Sequence, residues 1–178
     1  METLKYSSSE SPVGPLTVAM SLAGLAWLAF GSEFPAKLGG MRVEWQESAA
    51  ATRGVRKQLE EYFAGKRREF DLTLDLRGTD FQKKCWKALL GIPYGETRSY
   101  GEIAHAVGRP NAYRAVGQSN HHNPVAIIVP CHRVLASGKA LGGYGGGLTT
   151  KAFLLRLEGA EFRDDESADQ PQEALRFT

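Results

Sequence analysis

Two prolines bracket an apolar run in the second half of the chain: Asn123-Pro124, then residues 125–129, then Pro130. Proline has no backbone N–H and drives the residue before it out of the helical region, so no helix can run through this stretch. Five apolar residues bounded in this way read as a short buried strand with Cys131-His132-Arg133 at its tip. A thiol and an imidazole are thereby committed to the edge of a core. A glycine-rich loop follows, with Gly142, Gly143, Gly145, Gly146 and Gly147 around Tyr144. A last helix from about Thr150 is expected to pack Phe153, Leu154 and Leu157 and to stop at Gly159.

The punctuation upstream predicts helices. Thr79 with Gln82 forms a capping box for a helix through Leu90, halted before Pro93. Ser99 with Glu102 forms a second box, for a short helix ending at Gly108. Asn111 is placed to cap a third helix through Arg114, Val116 and Asn120, and the pair joined by Gly108-Arg109-Pro110-Asn111 has helix-turn-helix proportions. Residues 1–76 read differently. Glycine and proline turns separate 16–19 from 25–30 as a hairpin or meander, and Val55, Leu59, Tyr62 and Phe63 make one helical stripe stopped by Gly65. Phe70, Leu72, Leu74 and Leu76 alternate with polar residues as in a half-buried strand. The expected organisation is α+β: a sheet-and-helix domain over 1–76, a mostly helical domain over 77–162, and an acidic tail over 163–178.

Charge sorts the same way. Residues 1–80 carry a net −1, 81–162 a net +6 and 163–178 a net −3, and a basic segment of that length fits a polyanionic partner or a solvated face. Cys85 and Cys131 are the two cysteines, too few for a disulfide framework and without metal-ligand spacing. The start lacks a basic n-region and the longest apolar stretch, 22–30, is short and broken by Gly24, so a reducing cytoplasm and no membrane span are expected.

Cys131 draws attention because a thiol is nucleophilic only as thiolate, which needs a base or cation at hand. His132 and Arg133 adjoin it, and Glu158 is an acid among apolar residues, suited to orient an imidazole. Cys85, beside Trp86 with Phe81 and Leu89 one turn away, reads instead as core. Tyr100 opens its helix, where a phenol can donate to a ligand, and Arg114 opens the third helix, where it can meet phosphate or a base stack. His121-His122 is not a metal pair, because neighbours in sequence do not share a helix face.

Taken in order, Phe81-Gln82, Ile92-Pro93-Tyr94-Gly95-Glu96-Thr97, Tyr100-Gly101, Arg114-Ala115-Val116-Gly117, Asn123-Pro124, Pro130-Cys131-His132-Arg133-Val134, Gly143-Tyr144, Lys151, Leu154-Leu155 and Glu158-Gly159 resemble the O6-alkylguanine-DNA alkyltransferases. The match is strong over about 79–160. The N-terminal part is similar in outline, which implies a ribonuclease-H-like fold there. The resemblance implies repair by irreversible, single-turnover transfer of an alkyl group from guanine O6 to Cys131. It makes His132 the base, acting through a water, Glu158 its orienting partner and Tyr100 the donor to N3 of the leaving guanine. The pocket would be completed by Val134 and Gly145 through their backbones, by Lys151, by Asn120 and by Asn123 as the hinge between recognition helix and active-site strand. Arg114 would fill the stack vacated by an extruded base, with Tyr113, Ala115 and Ser119 beside it on duplex DNA, in the minor groove. No cofactor, no metal and a monomer are implied.

Two features depart from the family's usual pattern. Tyr113 puts a large ring where small residues often approach the backbone, and Ser119-Asn120-His121-His122 replaces a smaller, glycine-containing run. Residues 1–76 hold no cysteine, so the zinc site of some relatives has no thiolates here. The alternative in another class is a damage-binding protein that flips alkylguanine without repairing it. Relatives of that kind lack the cysteine. A papain-like hydrolase needs its thiol at a helix N-terminus and a distant histidine.

Overall fold

The computed structural model describes residues 1–164, and its chain divides into two compact units. The first comprises Met1–Thr79 together with Pro124–Ala126; the second comprises residues 80–123 and 127 onward. The expected tail falls almost wholly outside the described residues.

In the first unit, β1 (Glu2–Ser9), β2 (Leu16–Met20) and β3 (Leu25–Phe30) form an antiparallel meander. β4 (Lys37–Leu38) and β5 (Met41–Glu47) follow, and β5 lies parallel to β1, giving the order β3-β2-β1-β5-β4. The helix α1 (Arg53–Phe63) buries Val55, Leu59 and Tyr62, the stripe its spacing predicts. The Thr52 hydroxyl ahead of it meets Ser7 on β1 at 2.5 Å. One sheet face carries Leu4, Ala19, Ala26, Leu38 and Val43 under Tyr6, Trp27 and Trp45. The hairpin between β2 and β3 is as expected. The pairing of β1 with β5 has no local sequence signal, because parallel neighbours are joined only through distant chain.

The expected strand over 70–76 is reduced to one bridge, Leu74 against Leu25. Its alternation survives as half-buried Phe70, Leu72, Leu74 and Leu76, but β3 offers only a short free edge there. Leu25 N–H donates to Thr73 O at 2.9 Å, and a Cβ on Gly24 would overlap that carbonyl. The same edge of β3 takes a second bridge further along, Leu28 to Val125, with Leu28 N–H on Pro124 O and Ala126 N–H on Leu28 O.

In the second unit, α2 (Asp80–Leu90) buries Cys85, Trp86 and Leu89, placing Cys85 in the core as expected. A two-residue strand, β6 (Arg98–Ser99), leads into α3 (Tyr100–Ala106), whose capping box is present in both directions: Ser99 Oγ accepts from Glu102 N–H and the Glu102 carboxylate accepts from Ser99 N–H. α4 (Tyr113–His121) completes the helix-turn-helix, and Trp86 Nε1 donates to Ser119 O at 2.8 Å to fix it on α2. The cap of α4 is Ala112 without a side-chain bond, so Asn111 sits in the turn and does not cap. β7 (Val134–Leu135) pairs in parallel with β6. α5 (Leu148–Leu157) begins two residues before the expected start and buries Leu148, Lys151, Ala152, Leu154 and Leu155, leaving Phe153 and Leu157 half-buried.

The proline-bounded run is buried but is not a strand. Only Val125 is bridged, and Ile127 has φ 69, a left-handed conformation that a β-branched residue seldom adopts. That residue breaks any ladder after Ala126 and turns the chain toward Cys131.

Candidate active site

Backbone geometry sets the thiol. Pro130, at φ −84 and ψ 63, is the centre of an inverse γ-turn closed by Cys131 N–H on Val129 O at 2.8 Å. Cys131–Arg133 then make one 3-10 turn that runs straight into β7. β6 pairs with β7 in parallel, Arg98 with Val134 and Ser99 with Leu135, so Tyr100 leaves β6 beside the chain that leaves β7, and its phenol lies within electrostatic reach of the Cys131 thiol. Tyr100 and Cys131 are both 8 % exposed. Burial raises the phenol above its ordinary range, and the nearby thiol adds to the shift.

Asn123 holds the sulfur from α4's side. Its Nδ2 donates to Val129 O at 2.8 Å and to Cys131 Sγ at 3.3 Å, fastening the turn to the chain leaving α4. Burial raises the Cys131 thiol, while the Asn123 bond and the positive Lys151 draw it down. The resting group is therefore a thiol in need of a base.

His132 is paired with a carboxylate. His132, fully buried, places Nε2 at 2.8 Å from Glu158 Oε1, and its Nδ1 has no hydrogen-bond partner among protein atoms. Burial lowers the imidazole pKa, Glu158 opposes that, and Arg133 and Lys151 reinforce it. Neutral His132 then donates from Nε2 and keeps a lone pair on Nδ1. Burial works against ionisation of Glu158, but bonds from His132 and Arg133 outweigh it and hold the carboxyl down to about 2.

Lys151 lies fully buried on α5, with Nζ on the carbonyls of Val134 (2.7 Å), Gly143 (3.2 Å) and Leu141. Burial pushes its pKa down to about 7. Three carbonyls nonetheless match the three N–H groups of an ammonium, and a neutral amine offers only two, so the geometry favours the charged form. The side chain ties β7 to the start of the glycine-rich loop. Lys151→Met should lower stability by about 2 kcal/mol or more, since each buried carbonyl left without its donor costs about 1–3 kcal/mol. An unchanged urea midpoint would show that those carbonyls find other donors.

The remaining expected residues separate into two groups. Tyr113, Arg114 and Ala115 are exposed on the first turn of α4, with the Arg114 guanidinium 6.0 Å from the Tyr113 ring. Gly145 is exposed at the loop tip, and a Cβ there would meet nothing within 4 Å. Val134 is buried beside Lys151. The amide of Asn120 is buried on α4 without a protein partner. Ser119 departs from its expected exposed place: it is 2 % exposed, with Oγ bonded back to Ala115 O, because that side of α4 packs on α2. Arg133 was expected to lend charge to the thiol. It reaches Glu158 instead, with Nε on Oε2 at 2.8 Å and Nη2 on Oε1 at 2.9 Å. A paired carboxylate one chain segment away has no mark in the local sequence.

Among the described residues no group of three or more His, Cys, Asp or Glu could hold a metal, and no helix is long and apolar enough to cross a membrane. Comparisons with known proteins bear on both units. Residues 80–160 match the family model for the 6-O-methylguanine DNA methyltransferase DNA binding domain, and residues 4–76 match that for its ribonuclease-like domain. A methylated-DNA--protein-cysteine methyltransferase of Mycobacterium bovis is 53 % identical over 158 residues, covering 87 % of this chain and 92 % of the relative. One of Methanosarcina barkeri is 51 % identical, covering 86 % and 96 %. The crystal structure of Mycobacterium tuberculosis OGT in complex with DNA is similar at 52 % identity and a TM-score of 0.80, covering 87 % of this chain and 92 % of that one. The α+β architecture, the Cys-His pair in its buried setting and these likenesses over both units agree: the chain belongs to the 6-O-methylguanine DNA methyltransferase family.

Proposed function

We propose that this protein repairs DNA by moving the alkyl group from O6 of guanine onto its own Cys131, one molecule per lesion. The observation that carries the reading is the convergence of Tyr100, Cys131, Asn123 and the His132–Glu158 pair in one buried place. The partner is DNA, and the form acted on is duplex containing O6-alkylguanine, approached from the minor groove by a monomer in the cytoplasm. A carbon attached to O6 inside a duplex is out of reach of a buried thiol, so the nucleotide has to be extruded.

In the transfer, His132 Nδ1 takes the Cys131 proton through a water, and the sulfur attacks the alkyl carbon. The S–C bond forms as the C–O6 bond breaks, and its electron pair passes into the guanine ring. Tyr100 donates to N3 as that charge develops and is reprotonated by way of His132, so the thiol's proton ends on the released guanine. Gly145 N–H bonds O6, the carbonyls of Cys131 and Val134 read the exocyclic amine, and Asn120 and Asn123 complete the pocket. No cofactor enters. The product thioether has no hydrolysable bond, which makes the reaction single-turnover.

Intact mass after incubation with an O6-methylguanine duplex tests this directly. One methyl on Cys131 is expected, and an unmodified protein beside intact lesion would overturn the reading. The relay makes a second expectation. His132→Ala and Glu158→Gln should each slow transfer by about 10²-fold, and the double variant should be little slower than the worse single one. Multiplicative losses in single-turnover rates would mean that the two side chains act separately.

A further inference from the structure

Arg133 takes no part in the transfer just described, yet its whole guanidinium is engaged. Nε and Nη2 fork onto the two Glu158 oxygens, Nη1 donates to Ile92 O at 2.7 Å, and Cζ lies 5.8 Å from the centre of the Tyr94 ring. The arginine side chain is 9 % exposed, and those of Glu158 and His132 are 0 % exposed. Glu158 Oε1 receives both Arg133 Nη2 and His132 Nε2, so one carboxylate serves two partners. The segment carrying Ile92 and Tyr94 seats the pair from the other side. Tyr94 Oη donates to Leu157 O at 3.2 Å, and Gly95, at φ 81, leaves only 3.1 Å between a would-be Cβ and Glu158 O.

We infer that Arg133 is a positioning residue: by clamping and neutralising Glu158 it keeps His132 as an uncharged base, with its proton on Nε2 and its lone pair on Nδ1. This rests on the transfer proposed above. With Glu158 ionised, Arg133 charged and His132 neutral, the buried triad has no net charge. Take the guanidinium away and an uncompensated, buried carboxylate faces the imidazole. The cheapest relief is for His132 to take up a proton, and an imidazolium has no lone pair with which to receive the thiol's proton. The other groups facing His132 are Lys151, whose charge disfavours that proton, and the Cys131 thiol, which burial keeps neutral. Lysine cannot reproduce the fork. It supplies charge as a point, without the planar pair of donors that fixes both carboxylate oxygens.

The test uses the full chain with Arg133→Gln and Arg133→Lys, and follows single-turnover transfer from an O6-methylguanine duplex between pH 6 and 9. Around metal-bound histidines the loss of an outer partner costs roughly 10- to 100-fold, and a rate loss of that order is expected here for Arg133→Gln at pH 8. Its acid limb should move to higher pH, since removing a positive charge makes His132 easier to protonate. Arg133→Lys should return the acid limb toward its original position while the plateau rate stays low. Variants with unchanged rate and limb overturn the inference, and so does a slow Arg133→Gln protein with an unmoved limb, which marks a purely structural role. Should Arg133→Gln fail to fold, the ¹⁵N signals of His132 decide instead. An unprotonated Nδ1 at pH 7 in the unaltered protein that gives way to a mixture of the two neutral tautomers in Arg133→Lys supports the clamp. An imidazolium in the unaltered protein, or an identical pattern in both, sinks it. An unaltered protein that moves no methyl at all speaks against the proposed function, and the ¹⁵N comparison still judges Arg133.

Discussion

Cys131→Ser protein is expected to bind alkylated duplex within a few-fold of the unaltered protein and to accept no methyl group. A serine hydroxyl holds its proton far more tightly than a thiol, and the neutral imidazole proposed as base is too weak to take it, so transfer should fall on the order of 10⁴-fold or more. The other cysteine cannot take over. Cys85 is 0 % exposed in the packed face of α2, and burial raises its thiol further. Binding should survive because it rests on α4 and the pocket, and the one bond lost in the fold is a weak one from Asn123 to sulfur, which a hydroxyl can replace. Intact mass and a DNA titration measure both halves. Methyl transfer by Cys131→Ser with Cys85 unchanged would remove Cys131 from its assigned place.

Arg114→Ala is expected to slow repair of duplex on the order of 10²-fold and to leave reaction with free O6-alkylguanine base nearly untouched. An extruded nucleotide leaves an unstacked gap costing a few kcal/mol, and only the duplex reaction needs it filled. Arg114 is exposed on the first turn of α4, next to the exposed Tyr113 ring, so the pair presents a charged and an aromatic surface from one point of the helix. The substitution removes no buried contact. Equal losses on both substrates would place Arg114 in the service of the pocket or the fold.

The parts of this protein legible in its sequence are those written locally. The Ser99–Glu102 box, the α1 stripe, the β2–β3 hairpin and the Cys85 core position all follow from spacings within one or two turns. What escaped depends on partners distant in the chain. β5 lies against β1 across the whole intervening meander, and the alternation at 70–76 marks which side chains turn inward without saying that only Leu74 finds a strand. Residues 125–129 are apolar enough for a strand, but Ile127 takes a left-handed conformation that no propensity favours. Arg133 shows the same limit at the site. Its charge was plain from sequence, and its direction was set by Glu158, which arrives only with the end of α5.

The bridge between Leu28 and Val125 has a consequence for how the chain is made. A ribosome delivers residues 1–79 first, and a domain usually completes as it emerges. Here the free edge of β3 stays open at Leu28 until Pro124–Ala126 have been synthesised, by which time α2, α3 and α4 already exist. The last piece of the first unit is therefore supplied from within the second. Severing the polypeptide after Thr79 would part β3 from the Pro124–Ala126 segment that bridges its edge, so that edge closes only when later chain arrives.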